Sequence, residues 1–262
     1  HGWSKTFDLK GKLRIFQVGF LILASNMSLT FVGNIGRWVA NTRYAIEEYA
    51  QYAFQNSLLN VILLIVNAVG MVFYNVISRR SDQDLLNTIK KACVFLGIAS
   101  GLAFFVFKQI ILIFFEAYIP SINLLSITFI AIPYIMLSKI LIGNLYKTQT
   151  SENIYFRDSI FYLAFSVVLV VGTDAIFGDL QMVAIATTLC YIFWFIYTTT
   201  FKFDYLRNSF KEILLLVTHT FIFYSTANVM GTWTGFSVYL IYLVVVLLFS
   251  REDIKDMIQM LK

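Results

Sequence analysis

Charge is scarce in this sequence. Asp, Glu, Lys and Arg make up only 13% of its 262 residues, about half the share of a soluble domain, which excludes an ordinary water-facing globular surface. Histidine occurs only as His1 and His219, proline only as Pro120 and Pro133, and cysteine only as Cys93 and Cys190. Both cysteines fall in apolar runs. They offer neither a disulfide framework nor metal-ligand spacing and read as small apolar residues. No CxxC, HExxH, GxSxG or Gly-rich phosphate loop is present, so the motifs that carry metal, thiol, serine or nucleotide chemistry are missing. The loops between apolar runs are short, with no Asp-rich cluster to grip a metal–sugar nucleotide. An enzyme is therefore not expected, and no cofactor is implied.

What is present is apolar and continuous. Hydrophobic residues reach 59% and the mean hydropathy is +0.75. Uncharged runs cover 15–36 (22 residues), 49–78 (30 residues) and 180–201 (22 residues). Crossing a bilayer takes about 20 apolar residues in helix, and runs this long lack the alternation of barrel strands. The expectation is an all-α integral membrane protein with about eight transmembrane helices, near 13–36, 53–77, 92–115, 122–146, 159–176, 180–201, 213–230 and 233–249. The last uncharged run, 213–250, has 38 residues. It would be ~57 Å long as one helix, so "GTWTG" at 231–235 is read as the turn of a hairpin. Lys108 interrupts the third span, which is read as crossing by Phe107 and continuing as a short interfacial helix, "KQIILIFF".

Lys and Arg then set the orientation. The N-terminus, 78–91, 147–158, 202–212 and the tail hold 16 of the 20. Arg37, Arg43 and Lys108 fall on the other side, and Lys139 lies within a span. This is a positive-inside pattern with both termini cytoplasmic. The formal charge of +5 reports orientation, and no nucleic-acid partner is implied.

The informative residues are polar ones inside spans. At 100° per residue, Gly19, Asn26, Thr30, Gly33, Asn34 and Arg37 share one stripe of the first helix, and Asn56, Asn60, Asn67 and Tyr74 share one stripe of the second. Amides are costly in lipid unless paired. These stripes line either a wet cavity or an interhelical seam glued by Asn, Thr and Gly. Lys139 lies roughly 10 Å from the inner end of the fourth helix, six residues after Pro133, which should kink that helix. Lys139 either snorkels to the interface or faces a cavity. His219 reads as a buried, hydrogen-bonded residue, and Asp174 and Asp179 as caps or solvated residues of an outer turn.

"GRWVANTRYAIEEYAQYAF" at 36–54 resembles a recurring segment of the oligosaccharide-lipid flippases, the O-antigen and polysaccharide exporters of the MATE-like superfamily. There an Asp-Arg-aromatic step is followed by a Gly-x-Glu-x-x-Gly-x-Tyr-Ser/Ala loop. Arg37-Trp38 matches the Arg-aromatic pair and 47–53 the loop, with Gly36 in place of Asp and Ala50 in place of Gly. "LIFFEAYIPSINLL" (112–125), "IGNLYKTQTSENIYFRDS" (142–159) and "FGDLQMVAIATTLCYIFWF" (177–195) resemble later segments of that family, in the same order.

The resemblance implies a carboxyl-terminal portion, consistent with a start at His1. Residues 1–201 would form the six-helix carboxyl-terminal lobe, and 202–262 an extra hairpin and cytoplasmic tail. The amino-terminal lobe of the same protein would complete a central cavity. The implied function is flipping of polyprenyl-pyrophosphate-linked oligosaccharide across the bacterial cytoplasmic membrane. Its substrate contacts would be Arg37, Lys139, Asn26, Asn34, Asn56, Asn60 and Asn67, and its partners membrane lipids and the lipid-linked glycan. The rival is an ion-coupled exporter of small cationic drugs on the same fold, which would hold carboxylates inside the spans. A membrane acyltransferase would need His219 as its catalytic base.

Overall fold

The computed structural model describes residues 9–80 and 82–260, with side chains from Lys12 to Lys255. The expectations that rest on His1, Lys5, Lys262 and the side chain of Lys10 lie outside the described residues. The described residues are helical, with no strand among them. Among the described residues, six helices are long and apolar enough to cross a membrane: Lys12–Val32, Ile46–Arg79, Gln83–Phe114, Glu152–Phe177, Leu180–Lys202 and Thr232–Phe249. The pair Ser121–Phe129 and Ile132–Gln149, bent by 51°, makes a seventh if counted as one span.

The first helix, α1 (Leu9–Val32), stops short of its expected end. The chain turns at Gly33 and Asn34 and resumes as a separate short helix, α2 (Ile35–Arg43). The single helix over 13–36 is thus corrected to two, and Arg37 sits on the second. The uncharged run hid the break, because hydropathy does not register the turn preference of Gly-Asn. α3 (Ile46–Arg79) is a 34-residue helix. Glu48 starts it by accepting from the Ala45 N–H at 3.2 Å.

The third span is corrected in the opposite sense. α4 (Gln83–Ala99) and α5 (Gly101–Phe114) form one 32-residue rod interrupted only at Ser100. Lys108 does not start a separate interfacial helix. Its ammonium donates to the Ala227 carbonyl at 2.7 Å, so a cation caps the end of a neighbouring helix, where the macrodipole favours positive charge.

The fourth span is broken where Pro133 requires it. α6 (Ser121–Phe129) ends, and α7 (Ile132–Leu137) begins one residue before the proline. Pro133 has no N–H to give the Phe129 carbonyl, and its ring crowds that turn. A π-turn over Ser138–Ile142 follows, then α8 (Gly143–Gln149). Gly97 of α4 packs so tightly against the Pro133 backbone that a methyl there would collide with it.

α9 (Glu152–Phe177) and α10 (Leu180–Tyr197) join through Gly178, whose φ of 59° is left-handed. α11 (Phe210–Asn228) and α12 (Thr232–Phe249) form the hairpin turning at the expected "GTWTG". Gly235 meets the Thr226 carbonyl closely there. At 19 residues α11 is long enough to cross a membrane, but Lys211, Glu212 and His219 lower its apolarity. α13 (Arg251–Met260) closes the described chain.

Side-chain contacts sort the loops into two ends. Lys90 reaches Leu206, Arg207 and Glu212, Lys91 and Lys211 reach Asp253, and Lys202 reaches Asp158. Tyr205 reaches Gln149 at the same end. At the opposite end Arg43 and Tyr44 grip Asp174, and Phe54 stacks on Tyr118. α1 runs parallel to α9, since Asn26 meets Tyr155 and Arg43 meets Asp174, so α1 starts at the basic end. The described cations of the loops assigned to one side therefore collect at one end, with Arg37, Arg43 and Lys108 at the other.

The interior is unusually ionic and the exterior unusually apolar. Ile176, Val168, Ile241 and Leu248 are exposed, while Lys90 and Glu212 are buried. The Lys90 ammonium lies 2.9 Å from Glu212 and also donates to the Leu206 carbonyl. Glu212 completes a capping box with Ser209. This joins α4 to the start of the hairpin, although Lys90 reads from sequence as a loop charge. Asp174 is likewise corrected: it is buried and bound to Arg43 and Tyr44 rather than solvating its turn. Asp179 does cap α10, accepting from Gln181 N–H at 2.8 Å.

Removing one member of a buried ion pair strands the other, at a cost of about 3–5 kcal/mol, whereas an apolar pair of similar volume is nearly neutral. Lys90→Ala is therefore expected to lower resistance to unfolding by sodium dodecyl sulfate markedly, and Lys90→Met with Glu212→Leu to recover most of it. Equal loss from the single and double variants would show that the pairing itself does not hold α4 to α11.

Candidate functional site

A cleft of about 920 Å³ opens between the α1–α2 unit, α3, the bent α7–α8 segment, α9 and α10. Asn26, Asn34, Arg37, Asn56, Asn60, Asn67 and Lys139 all line it. Two stripes read separately from helical periodicity thus face each other across one space, and Lys139 enters from a third element. The sequence reading missed Asn144, Lys147, Tyr155, Tyr162 and Tyr191, which complete the wall.

Each side chain is placed by its helix. On α1, Asn26 accepts from the Tyr155 hydroxyl at 2.9 Å. Thr30 and Asn34 donate back to carbonyls one turn earlier, Asn26 and Thr30 respectively, each at 2.9 Å. These bonds satisfy the polar groups locally and leave their remaining capacity toward the cleft. Arg37 leads α2 toward the rim and donates weakly to the Tyr49 hydroxyl, at 3.3 Å. No carboxylate pairs with it among the described residues.

α3 supplies the amides. Asn56 accepts from Gln55, whose own side-chain oxygen accepts from Thr128 at 3.0 Å. The buried Asn56 amide nitrogen has no partner among the described residues. Farther along, Asn60 and Asn67 are exposed to the cleft.

The bent segment supplies the cation. A π-turn holds one more residue than a regular turn and is found often at functional sites. Here it carries Lys139, which is exposed to the cleft with Lys147 nearby. The Lys139 ammonium makes no hydrogen bond or ion pair among the described residues. Asn144 fixes the turn against α3, donating to the Gly70 carbonyl at 2.8 Å and the Ile140 carbonyl at 2.9 Å. A Cβ at Gly70 would make only ordinary contact with the Lys139 and Ile140 backbone, so α3 passes close to the turn there without requiring glycine.

Behind the cleft an aromatic stack runs Tyr155, Tyr146, Trp194, Tyr162, with ring centroids 4.9, 5.9 and 4.5 Å apart in turn. Asp158 closes its basic end, binding the Tyr146 hydroxyl at 2.9 Å as well as Arg157 and Lys202. Neither partner of Asp158 from α8 or the α10 end is visible in local sequence.

His219 lies outside this site. It is buried with Phe223 and Tyr239 against its ring. The Tyr239 hydroxyl donates to the Ile98 carbonyl at 2.6 Å, so His219 Nδ1, 3.0 Å away, must be the donor to the tyrosine oxygen. Nδ1 of His219 therefore carries a proton.

The arrangement concentrates positive charge and neutral hydrogen-bonding groups. Arg37, Lys139 and Lys147 line the cleft, and among the described residues no Asp or Glu does. Between them lie amides and phenols, which both donate and accept. Among the described residues no group of three or more His, Cys, Asp or Glu could hold a metal ion. No protein-family model matches the chain, and neither curated proteins nor solved structures include one found similar to it.

Asn144 and Asn60 separate scaffold from lining. Losing both Asn144 bonds forfeits two buried side-chain hydrogen bonds, roughly 1–3 kcal/mol together. Asn144→Ala is expected to lower the thermal midpoint in detergent by several degrees, and Asn60→Ala to leave it within about a degree. The reverse order would mean that the π-turn does not depend on this bond to α3.

Proposed function

We propose that this chain is the carboxyl-terminal part of a bacterial membrane transporter that flips polyprenyl-pyrophosphate-linked oligosaccharides across the cytoplasmic membrane. The observation that supports this reading best is the lining of the cleft, with three cations, amides and phenols and no carboxylate. A pyrophosphate entering such a space gives up hydration and regains it from fixed positive charge. Amides and phenols suit glycan hydroxyls, and the open side of the cleft leaves a route for a polyprenyl tail into lipid.

The apolar exterior and the segregation of cations to one end support a multi-pass membrane setting with the basic end cytoplasmic. On this reading α11 crosses as the seventh of eight spans, shielded by α12 and by the ion pair and capping box at its basic end. The first lobe of the same protein would face the exposed amides of α3, and rocking of the two lobes would give alternating access. A cation exporter on the same fold is disfavoured, because the cleft presents no anionic group to such a substrate.

Two experiments test this. For orientation, cysteine at Thr234 should react with a membrane-impermeant thiol reagent in whole cells, and cysteine at Ser151 should not. Labelling in the opposite sense overturns the topology. For transport, the complete protein is to be expressed in a strain lacking the chromosomal copy, with membrane abundance held equal. Lys139→Gln is expected to reduce surface polysaccharide about tenfold or more, since fixed charge in a low-dielectric site is worth at least ~1.4 kcal/mol. Lys139→Arg should retain part of the activity. Full polymer from Lys139→Gln would remove the anion-binding role from this residue.

A further inference from the structure

A second cleft, of about 700 Å³, opens at the basic end between α4, the 207–209 turn, α11 and the tail helix α13. It shares no lining residue with the first. Lys91 and Lys211 converge there on one carboxylate: Lys91 Nζ lies 2.6 Å from Asp253 Oδ1 and Lys211 Nζ 2.6 Å from Asp253 Oδ2. Arg207 and Asn87 also line the space and make no side-chain hydrogen bond or ion pair among the described residues.

The charge balance is uneven. Lys90 and Glu212, at the back, neutralise each other at 2.9 Å. Of the remaining charged residues lining the cleft, Lys91, Lys211 and Arg207 contribute three positive charges, and Asp84 and Asp253 two negative ones. Asp84 is exposed and belongs to the first turn of α4. Asp253 comes from the tail and, among the described residues, is the only anion that reaches both lysines. If α13 swings away, three cations remain against Asp84 alone.

We propose that this cleft is a binding site for a phosphate group, either an anionic lipid headgroup or free phosphate, which the tail carboxylate of Asp253 occupies when α13 is docked. A carboxylate has two oxygens, and the two lysines use one each. A phosphate has more oxygens to offer, enough to take the same two ammonium groups and also the planar fork of Arg207, which matches phosphate geometry. Partial burial works to raise the Asp253 pKa, but hydrogen bonds and charge from Lys211 and Lys91 outweigh it and hold the carboxyl below its ordinary value. The pocket therefore stabilises an anion at this position. The tail acts as an intramolecular competitor, and a ligand must displace it, which scales apparent affinity down to the intrinsic value times the fraction of protein with the tail undocked.

The test is isothermal titration of the purified full chain, in a neutral detergent, with inorganic phosphate, dihexanoylphosphatidylglycerol and dihexanoylphosphatidylcholine. Wild type is expected to bind one or both anionic probes weakly and the zwitterionic lipid not at all. Asp253→Asn should tighten anion binding about fivefold or more, by removing the competitor. Arg207→Gln should weaken it by a similar factor, and Lys91→Gln with Lys211→Gln should abolish it. Lys91→Arg with Lys211→Arg should retain it, which separates loss of charge from loss of fold. Tighter binding of phosphatidylglycerol than of phosphate assigns the site to a headgroup, and the reverse order to free phosphate. No tightening in Asp253→Asn, or anion binding unchanged in the double Gln variant, would overturn the proposal.

Discussion

Pro133 cannot donate to the carbonyl four residues before it, and much of the geometry around the first cleft follows from that. The helix entering from Ser121 must end near Phe129 and set off again at an angle of 51°. The second half could not pack where it does if α4 carried a side chain at Gly97, because the Pro133 backbone occupies that space. One turn later the π-turn at Ser138–Ile142 shifts the helical phase and presents Lys139 to the cleft, while Asn144 ties the same turn to Gly70 of α3. A straight, regular helix over 121–149 would have neither the bend nor the phase shift that place Lys139 opposite the asparagines.

A second constraint concerns where charge is allowed. Buried ionic groups are tolerated only when paired and hydrogen-bonded, and three such centres recur here: Lys90 with Glu212, Asp158 with Arg157 and Lys202, and Asp174 with Arg43. Each joins elements far apart in the chain or fixes one end of the bundle. Against that background, the cations of the first cleft differ, since none of Arg37, Lys139 and Lys147 has a carboxylate partner among the described residues. Arg37, Lys139 and Lys147 are exposed to the cleft rather than buried, so no protein counter-charge is required of them and their charge stays free for an anionic ligand. The proposed transport role rests on this contrast more than on any single contact.

Much of this was legible in the sequence. Helical periodicity alone placed Asn26 and Asn34 on one face and Asn56, Asn60 and Asn67 on another, because the stripes are local and the period is fixed. Pro133 announced its bend, and "GTWTG" its hairpin. Breaks that leave hydropathy unchanged were not legible. Gly33-Asn34 divides an uncharged run without altering it, and Lys108 inserts a charge without breaking its helix. The ion pairs were invisible for another reason: Glu212 stands 122 positions from Lys90, and nothing local in either segment records the other. Lys90 consequently read as one more loop charge, and Asp174 as a residue of its turn. Tyr155, Tyr162 and Tyr191 were missed because aromatic residues are so common here that none stands out before the helices are assembled.

The central claim is that the first cleft holds an anionic, lipid-linked glycan. Its most direct test is photocrosslinking from the cleft itself. A benzophenone-bearing residue in place of Asn67, which is exposed to the cleft, would be introduced into the complete protein in cells fed a radiolabelled precursor of the glycan. Illumination is expected to attach labelled polyprenyl-pyrophosphate glycan to the protein. The same probe at Val168, exposed on the apolar exterior, should attach little of it. Equal labelling from both positions, or crosslinks from Asn67 to bulk phospholipid alone, would contradict the assignment of the cleft to that ligand.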